Sequence, residues 1–271
     1  MTSLMYHDVV DRGADDASGF PGRDAALYKV TPEAFAAHLD AIRRSYPAHA
    51  TLPAPPAQSA PAITFDDGGA SAMRAADILE SRRFVGHFFV TTNYIGTRGF
   101  VTARDIRTLA QRGHVVGSHS CSHPLRMGHC SWAQLADEWN RSCAMLADIL
   151  GQPVDAASVP GGDFTPQVAE AAAKAGITRL FTSEPTSEAR HAFGVMLIGR
   201  YTIQRWTTEE TAAALAAGDW LPRARQAVVW NAKKMSKHLG GERYLQIRTL
   251  LLGHGDDVRW GDTPRGRGEQ T

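Results

Sequence analysis

Ala62-Ile63-Thr64-Phe65-Asp66-Asp67-Gly68 is a short apolar run that passes straight into two adjacent carboxylates and a glycine. The plain reading is a strand followed by a solvated turn, since Asp and Gly are common turn residues. The functional reading is that one acid binds a metal ion while its neighbour serves as a base. A second stretch is built the same way: His114-Val115-Val116-Gly117-Ser118 is a strand candidate that leads into His119-Ser120-Cys121-Ser122-His123-Pro124. Two histidines four residues apart are expected to converge on one side of a helical turn, where both imidazoles can meet one ion. Two unrelated surface histidines are the alternative.

Outward from these stretches the chain alternates short apolar runs with amphipathic ones. Strands are expected at Leu4–His7, Ala62–Phe65, Val85–Val90, His114–Ser118, Ala156–Pro160, Ile177–Thr182 and Val195–Ile203, each short and mostly apolar as strands buried on both faces should be. Helices with readable ends lie between them. Thr31-Pro32-Glu33 starts one that runs to about Arg44. Ser131 with Gln134 makes a capping-box pattern ahead of another that stops at Gly151. Thr102–Arg112 is closed by Gly113, and Pro166–Ala175 by Gly176. Strand and helix in alternation mean parallel strands and right-handed crossovers, hence a barrel or an open doubly wound sheet. Either fold puts its active site at the C-terminal ends of the strands, where both acidic and histidine stretches fall. An Asp with two His leaves coordination positions open for water and substrate, as a catalytic metal requires.

Together, Thr64-Phe65-Asp66-Asp67-Gly68 and His119-Ser120-Cys121-Ser122-His123-Pro124 resemble the first two motifs of the polysaccharide deacetylase family, the NodB-homology or carbohydrate esterase family 4 domain. Phe88-Phe89-Val90 and Arg112-Gly113-His114 fit the usual context between them. The resemblance covers roughly residues 1 to 205. It implies an α/β fold, a distorted (β/α) barrel, that removes N-acetyl groups from a carbohydrate with a divalent ion, Zn²⁺ first and Co²⁺ or Ni²⁺ as alternatives. It also implies Asp67, His119 and His123 as ligands and Asp66 as the general base.

Val159-Pro160-Gly161-Gly162 resembles the third motif, which implies the Gly161 N–H as an oxyanion donor; a plain loop is equally economical. The family's arginine two residues before this proline is replaced by Ser158. Arg200, in Ile198-Gly199-Arg200-Tyr201, is a candidate to supply it from a later strand and is grouped with Gly161 among the oxyanion and substrate-binding residues; a surface arginine is the alternative. The fourth motif's Asp-Trp pair is not apparent. The fifth, a late apolar strand ending in His, is matched instead by Leu4-Met5-Tyr6-His7-Asp8 at the start of the chain. This is similar to the circularly permuted members that act on poly-N-acetylglucosamine, and it implies His7 as the general acid, with Asp8 an accessory or a turn residue. His87 and His114 are expected to be structural.

Composition sets the remaining bounds. With 271 residues and 43% hydrophobic content the chain can bury a sizeable core. A net charge of +1 argues against a nucleic-acid partner. Cys121, Cys130 and Cys143, sparse and without CxxC spacing, argue against a disulfide scaffold or zinc ribbon. No apolar run approaches the roughly 18 residues of a membrane span, and no leader pattern precedes His7. A cytoplasmic location is therefore expected, and with it a carrier-linked precursor as substrate rather than an extracellular polymer. The expected division is a barrel domain at 1–220, a helical extension at 221–253 and a polar tail at 254–271. Residues 47–61 are read as a proline-rich surface connection. Arg223–Gly253 mixes basic and apolar residues, and is either a helix packed on the barrel or a peripheral patch for anionic lipid. Two rival functions stay open: hydrolysis of a non-sugar amide, and glycan binding without catalysis.

Overall fold

The structure, a computed structural model, describes residues 2–45 and 61–232. The chain begins with β1 (Ser3–Tyr6) and β2 (Asp8–Val9), then makes an excursion containing the one-turn helix α1 (Arg23–Ala26) before β3 (Lys29–Val30) and α2 (Pro32–Ser45). Strand and helix then alternate: β4 (Ala62–Phe65), α3 (Ala72–Ser81), β5 (Gly86–Val90), α4 (Ala103–Gln111), β6 (Val115–Ser118), α5 (Trp132–Leu150), β7 (Ala156–Ser158) and α6 (Pro166–Lys174). β8 (Arg179–Phe181), β9 (Ala189–Ala192), β10 (Val195–Ile198), β11 (Tyr201–Thr202) and α7 (Glu209–Ala217) follow. The local end signals act as expected. Ser131 and Gln134 form a reciprocal capping box on α5, and Gly151 closes that helix in the left-handed conformation with φ 71°. Thr102 and Asp105 do the same for the start of α4.

Among the described residues the main sheet has nine strands in the order β11-β1-β4-β5-β6-β7-β8-β10-β9, all parallel neighbours except the β10–β9 hairpin. The order itself shows that the sheet is curled. β10 and β11 are separated by two residues, Gly199 and Arg200, yet lie near opposite ends of the sheet. Seven strand spacings would put them roughly 34 Å apart in a flat sheet. Three residue steps reach only about 10 Å. The sheet therefore wraps until its ends meet, as a distorted barrel, and Gly199-Arg200 is the seam. Phe89, Ala156, Phe181 and Ile198, from four strands that are not all neighbours, pack together inside the curl. The larger apolar clusters lie outside it, between the sheet and the helices.

The seam corrects one expectation, because Val195–Ile203 is two strands rather than one. β10 pairs with β8, whereas β11 leaves to pair with β1 on the far side of the barrel. A side chain at Gly199 would come within 2.5 Å of the Glu184 carbonyl, so only glycine passes this corner without displacing its neighbours. The short β2–β3 pair, the exposed hairpin strand β9, and helices α3 and α7 add to the elements expected from sequence.

A helix over 220–232 opens the segment expected as an extension; residues 233–253, the 254–271 tail and the 46–60 part of the proline-rich connection lie outside the described residues. Gln226 exchanges two hydrogen bonds with the backbone of Thr202 and so covers the edge of β11. Arg223 lies over the Tyr201 ring, 4.8 Å from its centroid. Trp220, Leu221, Val228 and Val229 face outward. Among the described residues no helix is long and apolar enough to cross a membrane.

Candidate metal centre and catalytic rim

β4 delivers the two carboxylates. Successive residues of a strand point to opposite faces, so Asp66 and Asp67 share a site only because the chain turns between them. Asp67 takes a left-handed conformation, φ 74°, which Asp tolerates better than most residues. Gly68 follows with φ 81°, and a Cβ there would press on Val90 at 3.0 Å. The Asp-Asp-Gly order is thus what the turn needs.

β6 delivers the histidines, but not through a helical turn. The segment 119–124 is a loop in which Ser120 and His123 are both left-handed, with φ 64° and 58°. This corrects the expectation of a helical spacing. The loop nonetheless brings Nε2 of His119 and of His123 to 3.4 and 3.5 Å from one oxygen of Asp67. These three residues form a cluster whose donor atoms all lie within 4.8 Å of one another. The fit to a divalent ion is good, because ligands placed tetrahedrally about 2.1 Å from zinc are separated by about 3.4 Å.

Hydrogen bonding fixes which nitrogen of His119 is available. Asp66 is gripped by Arg200, Nη1 to Oδ1 at 2.7 Å and Nη2 to Oδ2 at 2.8 Å. Burial by itself would raise the Asp66 carboxyl. The Arg200 charge and hydrogen bonds, with His119 and His7 nearby, outweigh that and hold it well below the usual carboxylate range. An ionised Asp66 has no proton to give, so the Ser158 hydroxyl donates to it at 3.0 Å. Having spent its only proton there, Ser158 Oγ accepts from His119 Nδ1 at 2.6 Å. The tautomer follows: Nδ1 carries the hydrogen, and Nε2 presents its lone pair toward Asp67.

Arg200 is fully buried. Its Nε donates to the Thr182 carbonyl and Nη1 also to Thr64 Oγ1, at 3.0 and 3.1 Å. It enters from the seam and its guanidinium reaches the end of β4 through the barrel interior. The small Ser158 stands at the position where the family pattern has an arginine, and the guanidinium on Asp66 comes from Arg200.

His7 directly follows β1, whose Tyr6 pairs with Phe65, so the sheet register puts His7 beside Asp66. It is close enough for its charge to lower both Asp66 and Asp67. Its ring lies 4.8 Å from that of Tyr28, and among the described residues its buried Nδ1 has no hydrogen-bond partner. Asp8 has a separate task. Its buried carboxylate accepts from Ser18 and Ser71, with Lys29 Nζ at 3.8 Å. Lys29 in turn donates to the carbonyls of Asp15, Ser18 and Phe20. That knot folds the 10–28 excursion back so that Phe20 packs against His123, 4.9 Å between rings. Gly161 lies just past β7 at the same rim, with φ 58°. His114 accepts from the Gly86 N–H and meets Glu80, while His87 lies on β5 against Phe181. All three cysteines are free thiols.

Sequence reasoning did not assign roles to Ser158, Phe20 or Tyr28. Ser158 was visible as a departure from a motif; the two aromatics arrive through folding of the excursion, which leaves no local signal.

Residues 54–180 match the polysaccharide deacetylase family. The matched span contains Asp66, Asp67, His119, His123 and Ser158, and excludes His7 and Arg200. Over that span, a little under half of the chain, the protein carries a polysaccharide deacetylase domain, and this supports the class of a carbohydrate N-deacetylase. Three solved structures share the fold. One is the Streptococcus pyogenes deacetylase PplD in complex with acetate, 21% identical, with TM-score 0.63 over 80% of this chain and 97% of that one. Another is IcaB from Ammonifex degensii, 21% identical, with TM-score 0.62 over 79% and 96%. The third, a de-N-acetylase from Aggregatibacter actinomycetemcomitans, is 19% identical with TM-score 0.58 over 73% and 93%. No curated protein matches the chain.

Proposed function

We propose that this protein hydrolyses N-acetyl groups from a hexosamine-containing glycan or its carrier-linked precursor, using one divalent ion held by Asp67, His119 and His123. The observation that carries the reading is the pairing of that ligand cluster with a second carboxylate, Asp66, kept ionised by Arg200. The solved deacetylases of the same fold, one of them in complex with acetate, support it. Zn²⁺ suits a site of two imidazoles and a carboxylate, with Co²⁺ or Ni²⁺ as substitutes.

An amide carbonyl is a poor electrophile, and a bound divalent ion supplies the Lewis acidity that polarises it and makes water more acidic. Asp66 takes the proton from the attacking water as the new C–O bond forms. Arg200 serves by keeping that carboxylate deprotonated and aimed. The Gly161 N–H donates to the developing oxyanion. His7 gives its proton to the leaving nitrogen as the C–N bond breaks, so that acetate and a free amine depart.

The test is a screen for acetate release from free, polymeric and carrier-linked N-acetylated sugars, each with added Zn²⁺, Co²⁺ or Ni²⁺. Acetate from at least one sugar class, abolished by chelation, is the expected result. Release only from non-sugar amides would shift the substrate class. Glycan binding without any release would leave a binding domain.

A further inference from the structure

Ser120 and His123 adopt left-handed backbone without being glycine, a conformation that crowds Cβ against the following carbonyl. Such conformations persist only where the surroundings over-determine them. Within the loop, the Ser120 N–H is taken by Ser118 Oγ and the His123 N–H by Ser120 Oγ, both at 3.1 Å. The two N–H groups between them, those of Cys121 and Ser122, point the same way and form a small anion-accepting concavity. One side chain fills it. Glu138 Oε2 accepts from Cys121 N at 2.9 Å and from Ser122 N at 2.8 Å, while its Oε1 accepts from Ser122 Oγ at 2.5 Å.

Glu138 sits on α5, the helix closed at its start by the Ser131 capping box and anchored by the buried Leu135 and Trp139 on either side of it. Its carboxylate is therefore presented from a rigid element to the middle of the segment that separates the two histidines. We propose that Glu138 is a positioning residue: it holds the strained 120–122 turn in the shape that brings His119 and His123 onto one ion. It touches neither histidine and acts on them only through the backbone it binds. The proposal rests on the metal-site reading above and adds a determinant of ion affinity outside the ligand set. Geometry, rather than negative charge near the ion, is the operative property.

Reach and charge can be separated by substitution. Glu138→Gln loses the charge and keeps the reach: the amide oxygen accepts both N–H groups, and the NH₂ donates to Ser122 Oγ, whose own proton turns away. Glu138→Asp keeps the charge and withdraws it by one methylene. Glu138→Ala loses both. Zinc affinity of the metal-stripped proteins, measured by competition with a chromophoric chelator, should fall about 10- to 100-fold in the Ala and Asp variants, the usual cost of losing an outer partner of a ligand. The Gln variant should stay close to wild type. Unchanged affinity in Glu138→Asp together with loss in Glu138→Gln would show that charge matters and would overturn the proposal; so would three variants that all bind like wild type. Should Glu138→Ala fail to fold, the Asp and Gln pair still decides. A wild-type chain that takes up no zinc would instead remove the metal-site reading itself, and this proposal with it.

Discussion

The inside of the barrel holds two polar side chains against the same aromatic ring, the buried Arg200 at its rim and the half-buried His87 at its floor, and they meet opposite fates. Phe181 lies 6.0 Å from the Arg200 guanidinium and 5.7 Å from the His87 imidazole. The Arg200 guanidinium is met by four hydrogen bonds, one to Thr182 past the end of β8, one to Thr64 on β4 and two to the Asp66 carboxylate. His87 has a buried Nδ1 with no partner among the described residues. Burial first, and then the Arg179 charge, push its pKa down to about 4, so it stays neutral. A low-dielectric interior tolerates a charge only where the fold supplies its complement. At the rim that complement includes Asp66, so the price of burying Arg200 is met by the same group that is proposed to do the chemistry.

The largest effect should come from the rim. Asp66→Asn should lower turnover by about 100- to 10,000-fold, the usual worth of a general base, and His7→Ala by a similar factor for the acid. Metal content, measured by elemental analysis, should be unchanged in both. An Asp66→Asn variant with wild-type acetate release would reduce the rim to the same status as the floor, a buried group with structural duties only.

Removing Arg200 tests the coupling between the two roles. Arg200→Met leaves Asp66 buried without its partner, and breaking such a pair costs about 3–5 kcal/mol of unfolding free energy. The sign of the pH effect follows from the causes on Asp66. Burial raises its pKa and the guanidinium lowers it, so losing the guanidinium moves it upward. The carboxylate then ionises only at higher pH, and the acid limb of kcat/KM should shift up. Arg200→Lys should recover little, since a point charge does not reproduce the two-pronged contact. An acid limb that stays in place would show that Asp66 does not set it.

The same contrast explains which features were legible in the sequence. Asp66, Asp67, His119 and His123 stand out because short apolar strands end directly on them, and strand ends are local. The caps at Thr102 and Ser131 are local too, each closed within four residues. The break at Gly199-Arg200 is not, because apolar residues on both sides of it read as one strand and hide a change of strand partner from β8 to β1. The loop at 119–123 was expected as a helical turn since spacing alone cannot report left-handed Ser120 and His123, which depend on Glu138 from another element. Helix α3 escaped because Ser71 makes no side-chain cap. β9 escaped because its residues are mostly exposed and carry no strand alternation.

The floor offers the smallest effect and the sharper measurement. His87 has a folded pKa of about 4 against an ordinary value of 6.5. As pH falls through that window the unfolded chain takes up the proton while the folded one does not, so stability declines with falling pH and levels off below about 4. Integrated over the window the loss is at most about 3 kcal/mol, less wherever solvent reaches the ring. His87→Phe removes the titration and keeps an aromatic ring against Phe181. Its stability at pH 8 should differ from wild type only by the packing change. Its unfolding free energy, followed by urea denaturation, should then fall less steeply than that of wild type between pH 6.5 and pH 4, where the missing proton uptake is the sole difference between the chains. Parallel curves would mean that His87 finds a partner or water when protonated, and that the floor satisfies its polar group much as the rim does.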